Sequence, residues 1–258
     1  MFYTMGIDIG STTSKAVILC DGAKIACSSI VDAGTGTDGP ELARRQVLEQ
    51  SGLSEEEIAC TVATGYGRKM YAGADYQLSE LSCHSRGAYF LFPGARTVID
   101  IGGQDAKVLA LDAQGKMTNF IMNDKCAAGT GRFLDVMARI LQMETKDLEK
   151  EAAKARNVVK ISSTCTVFAE SEVISQLAAG VEIPDLVAGI CQSVASRVSA
   201  LAKRIGIREQ VCMSGGVAQN GGVRKALEAE LGVPILYAKE AQLTGALGAA
   251  LYASDRLK

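Results

Sequence analysis

The stretch Ile7-Asp8-Ile9-Gly10-Ser11-Thr12-Thr13-Ser14-Lys15 ends an apolar run with an aspartate and then turns on a glycine towards hydroxyl side chains and a lysine. A related stretch, Ile99-Asp100-Ile101-Gly102-Gly103-Gln104-Asp105-Ala106-Lys107, comes later in the chain. A shift of 92 residues, from position 8 to position 100, superposes the aspartate, isoleucine, glycine and lysine of the two stretches. Self-similarity at a fixed offset indicates a duplicated structural unit. The repeat therefore predicts two lobes of related topology.

Each copy of the repeat contains three short apolar segments separated by polar turns, which is the pattern of a strand meander. In the first copy the strands are predicted at residues 3–9, 15–20 and 24–31, with a hairpin signal at Asp21-Gly22. In the second copy they are predicted at residues 97–101, 106–111 and 117–122.

Most of the remaining chain has apolar residues at three- and four-residue spacing, which predicts helices. The predicted helices are 39–51, 79–92, 131–142, 167–179, 184–205, 222–231 and the small-residue-rich 243–252. Two further strands are predicted at 58–64 and 210–214, and the charged run 144–156 indicates a solvated helix face. Strands followed by helices, twice, predict an α/β protein with an N-terminal lobe at residues 1–93 and a C-terminal lobe at residues 94–258.

The composition excludes several classes of protein. A chain of 258 residues with 48% apolar side chains can build sizeable cores. The net charge is −2 and the basic residues are dispersed, so no electrostatic footprint for nucleic acid or a membrane surface exists. The apolar runs are too short to span a bilayer, and the first residues lead into a strand pattern without a charged leader region. We expect a cytoplasmic protein.

The two aspartate turns have the chemistry of a phosphate site. Glycine at positions 10 and 102 lets the backbone approach a phosphate and direct its N–H groups to it. The carboxylates of Asp8 and Asp100 would repel phosphate, so we expect them to hold a hydrated Mg²⁺. The predicted phosphate-binding residues are Gly10, Ser11, Thr12, Thr13 and Lys15 in the first turn and Gly102, Gly103 and Gln104 in the second. Gln104 is also predicted to orient the water that attacks the γ-phosphate.

A third glycine turn follows the predicted strand 210–214. Gly215 and Gly216 permit a nucleotide to lie close to the backbone, with Gln219 and Asn220 as polar neighbours. The order of the three elements resembles the actin/Hsp70/sugar-kinase superfamily over nearly the whole chain. This resemblance implies two ribonuclease-H-like lobes with ATP in the cleft between them.

The chain has eight cysteines, and in a cytosolic protein they are not expected to form disulfides. No Cys-x-x-Cys pair occurs, so the spacings typical of zinc sites are absent. Four cysteines lie inside or beside apolar strand patterns and are expected to be small buried hydrophobes: Cys20, Cys27, Cys60 and Cys212.

Cys126 and Cys165 differ, because each stands among polar or small residues just before a predicted helix. A helix N-terminus favours a thiolate, and the hydroxyl residues of the segment 161–172 around Cys165 are available as helix caps. A cubane iron–sulfur cluster takes four cysteines, which two copies of this chain would supply. The alternative is two cysteines with no ligand.

The same segments resemble a specific family, the ATP-dependent activators of 2-hydroxyacyl-CoA dehydratases, the iron–sulfur archerases. The resemblance is effectively full length and is closest to the activators of 2-hydroxyglutaryl-CoA dehydratase. The matching segments are Gly6-Ile7-Asp8-Ile9-Gly10-Ser11-Thr12, Ala63-Thr64-Gly65-Tyr66-Gly67-Arg68, Glu80-Leu81-Ser82-Cys83-His84, 98–107, 123–137, 162–176, 215–220 and 245–252.

The resemblance implies a homodimer with one [4Fe-4S] cluster, held by Cys126 and Cys165 of each subunit. It implies that reduced ferredoxin or flavodoxin supplies the electron. MgATP hydrolysis, with Asp8, Asp100 and Gln104 as catalytic residues, would then drive that electron into a separate dehydratase, component D. Related activators serve other low-potential acceptors, including benzoyl-CoA reductases and double-cubane proteins, and the sequence leaves the acyl-CoA open.

Two other classes of protein explain fewer of these features. A small-molecule kinase of the same fold, such as a sugar kinase, needs a base aspartate that the sequence does not locate, and it gives no role to Cys126 and Cys165. A non-enzymatic iron–sulfur sensor or scaffold leaves the repeated phosphate turns unexplained. The sequence gives general expectations for three further residues. His84 is expected to be packed or to cap a helix. Arg68 is expected to face phosphate or a partner protein, and Arg132 to meet nucleotide phosphate.

Overall fold

The computed structural model describes residues 1–162 and 165–257. The chain forms two compact units. The first unit comprises Met1–Ala95, Leu111–Met117 and Glu240–Lys258, and the second comprises Arg96–Ala110 and Thr118–Lys239. The first segment thus ends two residues beyond the predicted lobe boundary, whereas 111–117 and 240–258, expected in the C-terminal lobe, belong to the first unit.

The strands and helices lie close to their predicted positions. The strands are β1 (Tyr3–Ile9), β2 (Ser14–Cys20), β3 (Lys24–Val31), β4 (Ile58–Thr64), β5 (Tyr76–Gln77), β6 (Thr97–Ile101), β7 (Ala106–Leu111), β8 (Met117–Asn123), β9 (Val211–Ser214) and β10 (Ile235–Leu236). The helices are α1 (Gly39–Ser51), α2 (Glu80–Leu91), α3 (Gly131–Ile140), α4 (Leu148–Ala152), α5 (Thr166–Ala178), α6 (Ile183–Ile205), α7 (Gly221–Leu231) and α8 (Thr244–Asp255). The two-residue strands β5 and β10 were not predicted, since two residues are too few to show an alternation. The charged run 144–156 contains α4, as expected of a short solvated helix.

The two sheets have equivalent topologies. The first sheet has the order β3-β2-β1-β4-β5. The second sheet has the order β8-β7-β6-β9-β10, in which each strand occupies the position of its counterpart in the first sheet. In both, the first two strands of the copy are antiparallel, and a later strand joins the first strand in parallel. The prediction of two lobes of related topology is therefore confirmed.

Alternating side chains of the first sheet pack on different helices. Met5, Ile7 and Ile18 belong to a core cluster with Ala43 and Val47 of α1. The neighbours of Ile18 in β2, Val17 and Leu19, instead pack with Ala246, Leu247 and Ala250 of α8. This period-two pattern follows from the pleat of a strand, and it places α1 and α8 on opposite faces of the sheet.

Small residues explain why the chain returns to the first unit at its end. A Cβ atom at Gly6 of β1 would overlap the carbonyl oxygen of Ala246, and a Cβ atom at Gly248 of α8 would overlap the carbonyl oxygen of Cys83 in α2. Backbone-to-backbone packing of this kind is possible only for glycine. The predicted close packing of the last helix on a sheet is confirmed.

The second unit is richer in helix. Its longest helix, α6, buries a stripe at four-residue spacing formed by Leu186, Ile190, Val194 and Val198. Among residues 1–162 and 165–257, none of the helices combines the length and the apolar character that crossing a bilayer requires.

Candidate functional site

The first aspartate turn joins β1 to β2. The Gly10 amide donates to the Thr13 carbonyl oxygen at 3.0 Å and closes the turn. Asp8 is 3% exposed, and the Lys15 ammonium lies 3.3 Å from its Oδ2 atom. In the antiparallel register of β1 and β2, Asp8 lies directly opposite Lys15, and this register brings the two charges together. The ion pair compensates a carboxylate that would otherwise be buried alone.

A glycine loop braces this turn from the side. Gly65 has φ +87°, a left-handed conformation, and a Cβ atom there would overlap Asp8 Oδ1 and crowd the Ile9 carbonyl. The Gly67 amide donates to the Ile9 carbonyl oxygen at 2.9 Å. The Arg68 guanidinium donates to the Gly65 carbonyl oxygen at 2.8 Å. Arg68, which sequence reasoning placed at phosphate or at a partner, holds the loop that supports Asp8.

The only histidine also lies in this region. His84 is 6% exposed on α2, so its predicted packed role is confirmed. A Cβ atom at Gly245, the second residue of α8, would lie 2.8 Å from both His84 Nε2 and Asp8 Oδ2. The missing side chain at Gly245 therefore leaves the room that the Asp8 carboxylate occupies.

The second aspartate turn joins β6 to β7 with the same geometry. The Gly102 amide donates to the Asp105 carbonyl oxygen at 2.9 Å. Asp100 is 1% exposed, with the Lys107 ammonium 3.0 Å from its Oδ2 atom. The same ammonium lies 2.9 Å from Asp105 Oδ2, and the Ser214 hydroxyl donates to Asp100 Oδ1 at 2.7 Å. Asp100 is thus held at both carboxylate oxygens.

The two turns also differ in the number of carboxylates that they contain. Thr13 of the first turn occupies the position that Asp105 has in the second, so the second turn has an extra carboxylate. Accordingly the Lys107 side chain is only 2% exposed, whereas that of Lys15 is 12% exposed.

The polar side chains predicted to bind phosphate lie at these turns. Ser11, Thr12 and Thr13 are half-buried, and Gln104 is exposed. The turn residue Gly103 is half-buried.

The third predicted element lies beside the second turn. Gly215 has φ +85°, and a Cβ atom there would overlap the carbonyl oxygen of Ile101. The parallel register of β6 and β9 pairs Asp100 with Ser214, which places Gly215 and Gly216 at the end of β6. The structure therefore brings this glycine turn and the second aspartate turn together.

Gln219 and Asn220 are engaged within the protein. The Gln219 amide donates to the Lys239 carbonyl oxygen at 3.2 Å, and its oxygen accepts from the Tyr237 hydroxyl. The Asn220 oxygen caps α7 by accepting from the Val223 amide at 3.1 Å. Among the described residues, however, the buried Nδ2 atom of Asn220 has no hydrogen-bond partner. A buried donor without an acceptor is costly, so this amide group is suited to a ligand.

Helix α3 is attached to the second turn, which sequence reasoning missed. The Gly131 amide donates to the Gly102 carbonyl oxygen at 2.9 Å, and the Arg132 amide donates to the Gly103 carbonyl oxygen at 2.8 Å. The first N–H groups of a helix have no partner within the helix, so these contacts satisfy them. The run of small residues before α3 was the available signal. Arg132, predicted to meet phosphate, has an exposed side chain.

Cys126 is exposed in the loop between β8 and α3. Asn123 fixes this loop: its oxygen accepts from the Cys126 amide at 3.2 Å, and its Nδ2 atom donates to the Cys126 carbonyl oxygen at 2.8 Å. Residues 127–130 separate the cysteine from α3, which begins at Gly131 as predicted. The loop of Cys126 is continuous with the helix that the second turn holds.

Cys165 is exposed and occupies the N-cap position of α5, as predicted. Val167 and Phe168, in the first turn of α5, are 66% and 68% exposed, which is unusual for large apolar side chains. Helix α5 packs against α3. Ser163 and Thr164, two of the candidate capping residues in segment 161–172, lie outside the described residues.

The other six cysteines, all in the described part of the chain, are less accessible. Burial raises the pKa of the thiols of Cys83, Cys191 and Cys212 to about 12, and burial also raises the pKa of Cys60. The expected burial of Cys60 and Cys212 is confirmed, whereas Cys20 and Cys27 are half-buried at the rim of the first sheet. A metal needs the thiolate, so buried neutral thiols are poor ligands. Cys126 and Cys165 are the two exposed cysteines.

The repeated turn with a paired aspartate and lysine, and the glycine turn beside its second copy, define a nucleotide-binding protein of the actin/sugar-kinase/Hsp70 fold. A ROK family glucokinase from Streptomyces griseus, solved with glucose and AMPPNP, has a TM-score of 0.59 to this chain. The match covers 98% of this chain and 99% of the glucokinase at 14% identity, which shows the fold alone.

The profile of the BadF/BadG/BcrA/BcrD ATPase family matches residues 5–253, and the chain belongs to this family of ATPases. The (R)-2-hydroxyglutaryl-CoA dehydratase activating ATPase of Acidaminococcus fermentans is 60% identical over 252 residues, which cover 97% of this chain and 96% of that protein. The activator of 2-hydroxyisocaproyl-CoA dehydratase from Clostridium difficile, solved with bound ADPNP, is 56% identical with a TM-score of 0.97. That comparison covers 99% of this chain and 95% of the activator. The resemblance drawn from the motifs is confirmed.

Proposed function

We propose that this ATPase activates a 2-hydroxyacyl-CoA dehydratase by ATP-driven transfer of one electron. One observation carries the proposal: the second aspartate turn is hydrogen-bonded to α3, the helix that follows the exposed Cys126. Backbone hydrogen bonds therefore link a nucleotide-binding turn to the segment that contains a candidate redox ligand.

The nucleotide is ATP or ADP with Mg²⁺. Each aspartate turn is a candidate phosphate-binding element, and Asn220 Nδ2, buried with no partner among the described residues, is a candidate donor to the nucleotide. Asp8 and Asp100 are buried carboxylates, the oxygen ligands that a hydrated Mg²⁺ prefers. Gln104, exposed at the second turn, orients the attacking water. The ADPNP bound to the related activator supports this assignment.

Cys126 and Cys165 are suited to a [4Fe-4S] cluster, because they are the exposed thiols of the chain. Two cysteines are half of the usual four ligands, so a homodimer with one shared cluster completes the set. The cluster would supply a one-electron carrier of low potential. The exposed Val167 and Phe168 beside Cys165 support an interface between subunits here.

The coupling runs through α3. A nucleotide can shift the arrangement of the cysteines only if ATP and ADP interact differently with two conformations. The Gly102 and Gly103 carbonyl groups accept from the first amides of α3, so a displaced second turn displaces the helix. Reduced ferredoxin or flavodoxin is the proposed electron donor, and component D of the dehydratase is the acceptor.

The test is an anaerobic purification from a cytoplasmic fraction. We expect a brown dimer with absorbance near 400 nm and about four irons per dimer. Cys126→Ala and Cys165→Ala should each lose the iron, whereas the matched control Cys27→Ala, at a half-buried cysteine, should keep it. A colourless wild-type protein that phosphorylates a sugar would establish a kinase instead. Iron retained in both cysteine variants would show that Cys126 and Cys165 are not the cluster ligands.

A second assay identifies the acyl-CoA that the partner dehydratase uses as its substrate. The two related activators serve different dehydratases, for 2-hydroxyglutaryl-CoA and 2-hydroxyisocaproyl-CoA, so similarity to them does not select a substrate. We expect ATP-dependent activation of at least one 2-hydroxyacyl-CoA dehydratase in a panel. Activity only with a benzoyl-CoA reductase or a double-cubane protein would assign the other acceptor class.

A further inference from the structure

Side chains hold the loop that contains Cys126, which lies between β8 and α3 without regular secondary structure. Three successive carbonyl oxygens of this loop accept hydrogen bonds from two side chains. Asn123 Nδ2 donates to the Cys126 carbonyl oxygen at 2.8 Å and to the Ala128 carbonyl oxygen at 3.4 Å. The Thr130 hydroxyl donates to the carbonyl oxygen between them, that of Ala127, at 2.6 Å. The path of the loop is therefore fixed by contacts that replace those of a helix or a sheet.

Asn123 contacts Cys126 on both sides of its Cα atom. The Asn123 Oδ1 atom accepts from the Cys126 amide at 3.2 Å, and Nδ2 donates to the Cys126 carbonyl oxygen. A side-chain amide is the group that can accept at one end and donate at the other, and both ends are used here. Because the peptide groups before and after Cys126 are fixed, so is the direction of the bond from its Cα atom to the Cβ atom that carries the thiol.

Cys165 is placed by other means. It is the N-cap residue of α5, and its carbonyl oxygen accepts from the Ala169 amide at 2.9 Å, a hydrogen bond of the helix itself. At Cys126 the following helix begins only at Gly131, so the Asn123 side chain provides the support that α5 provides for Cys165.

We propose that Asn123 is a positioning residue that presets the Cys126 thiol as a ligand of the iron–sulfur cluster. Partners that orient a metal ligand fix its geometry, and their loss typically lowers the affinity for the metal roughly ten- to a hundredfold. This inference rests on the proposed cluster at Cys126 and Cys165, and it adds a residue that acts through Cys126.

The experiment measures how fast the reduced anaerobic dimer releases iron to a ferrous chelator, together with the EPR spectrum of its reduced cluster. We expect Asn123→Ala to release iron roughly ten- to a hundredfold faster than wild type and to have an altered spectrum, since the thiol is no longer held in one geometry. Asn123→Asp keeps an acceptor for the Cys126 amide but turns an oxygen towards the Cys126 carbonyl oxygen, so it should release iron at least as fast as Asn123→Ala.

The matched control is Asn119→Ala on the same strand. The Asn119 Oδ1 atom accepts from the adjacent Phe120 amide at 2.9 Å, four residues before Asn123. Asn119→Ala should release iron at the wild-type rate with the wild-type spectrum. Equal acceleration in Asn119→Ala and Asn123→Ala would assign the effect to β8 and overturn the role of Asn123.

The remaining outcomes separate the two levels of the argument. A wild-type protein that is isolated without iron contradicts the proposed cluster itself. A wild-type cluster whose release rate and spectrum are unchanged in Asn123→Ala overturns the role of Asn123 alone, and wild-type behaviour of Asn123→Asp overturns the role of the Nδ2 atom. If Asn123→Ala does not fold, Asn123→Asp decides by the same two measurements.

Discussion

The amide of Gly131 donates a hydrogen bond of 2.9 Å to the carbonyl oxygen of Gly102, and this bond joins the first residue of α3 to the second aspartate turn. Gly131 lies so close that a Cβ atom would stand 3.1 Å from the same oxygen. One short contact thus connects the candidate phosphate site to the segment that contains Cys126.

Removing that bond should uncouple ATP hydrolysis from electron transfer. Proline is accepted at the first position of a helix, and Thr130 already has the extended backbone that must precede it (φ −124°, ψ 174°). Gly131→Pro therefore removes the donor and puts the ring Cδ atom where the amide hydrogen pointed, so the Gly102 carbonyl must move away from α3 while the helix itself remains. We expect ATPase activity within about threefold of wild type and several times more ATP hydrolysed per electron delivered. An unchanged ratio would show that this bond does not transmit the signal.

The brace around Asp8 should be intolerant of a side chain. Gly65→Ala would place a Cβ atom against Asp8 Oδ1 at a residue with φ +87°. The left-handed backbone costs about 1–2 kcal/mol, and displacement of the carboxylate should lower kcat by at least roughly tenfold. Gly36→Ala is the matched control, because Gly36 has φ +83° but nothing within 4 Å of the added atom. Equal losses of kcat in the two variants would assign the effect to backbone strain rather than to Asp8.

Asn220 offers a way to separate capping from ligand binding. Asn220→Asp keeps the oxygen that caps α7 and loses the Nδ2 donor, whereas Asn220→Ala loses both. We expect Asn220→Asp to keep the Tm of wild type and to bind ADPNP about tenfold more weakly. Asn220→Ala should additionally lose about 1 kcal/mol of unfolding free energy. Wild-type ADPNP affinity in Asn220→Asp would mean that the amide does not contact nucleotide.

The buried thiols predict a loss of stability in alkali. Burial raises the pKa of Cys83, Cys191 and Cys212 from the ordinary value of 9.0 to about 12. The unfolded chain then releases protons that the folded chain retains, so the free energy of unfolding is unaffected below about pH 8.5 and falls as the pH rises towards 12. Urea midpoints under reducing conditions at pH 7.5 and pH 10.5 should differ less in the triple alanine variant than in wild type.

The triple variant loses core packing at every pH, so only the difference between the two midpoints is informative. Cys20→Ala with Cys27→Ala, at half-buried positions, is the control and should retain the wild-type difference. If the two urea midpoints of the triple variant differ as much as those of wild type, groups other than these three thiols cause the loss of stability in alkali. Tyr71, whose pKa burial raises to about 12, is present in all the variants and cancels from the comparison.

Much of the fold was predictable because its signals are local. Alternation of apolar residues over seven positions identified β1, and three- and four-residue spacing identified α1. The pairing of Asp8 with Lys15 also follows from sequence once the turn is known, since a tight turn sets the register of its two strands. Cys126 and Cys165 stood out because polar and small neighbours distinguish them from the strand cysteines.

Other features depend on contacts between distant parts of the chain. Ser214 reaches Asp100 across 114 positions only because β9 pairs in parallel with β6. The attachment of α3 to the second turn, the return of α8 to the first unit and the brace of Gly65 on Asp8 are likewise products of packing. No periodicity or motif reports such contacts, because they arise from shape complementarity between elements that are separately formed.

By itself, the sequence determined that this protein has two copies of an aspartate turn and two cysteines outside apolar patterns, since spacing and neighbours are properties of the chain. The tertiary structure decided how those residues are used. It placed Lys107 between two carboxylates and left Lys15 with one, buried four of the cysteines and exposed two, and joined a phosphate turn to the helix beyond Cys126. Burial and the distance between charges set the chemistry of such groups, and both exist only after the chain has folded.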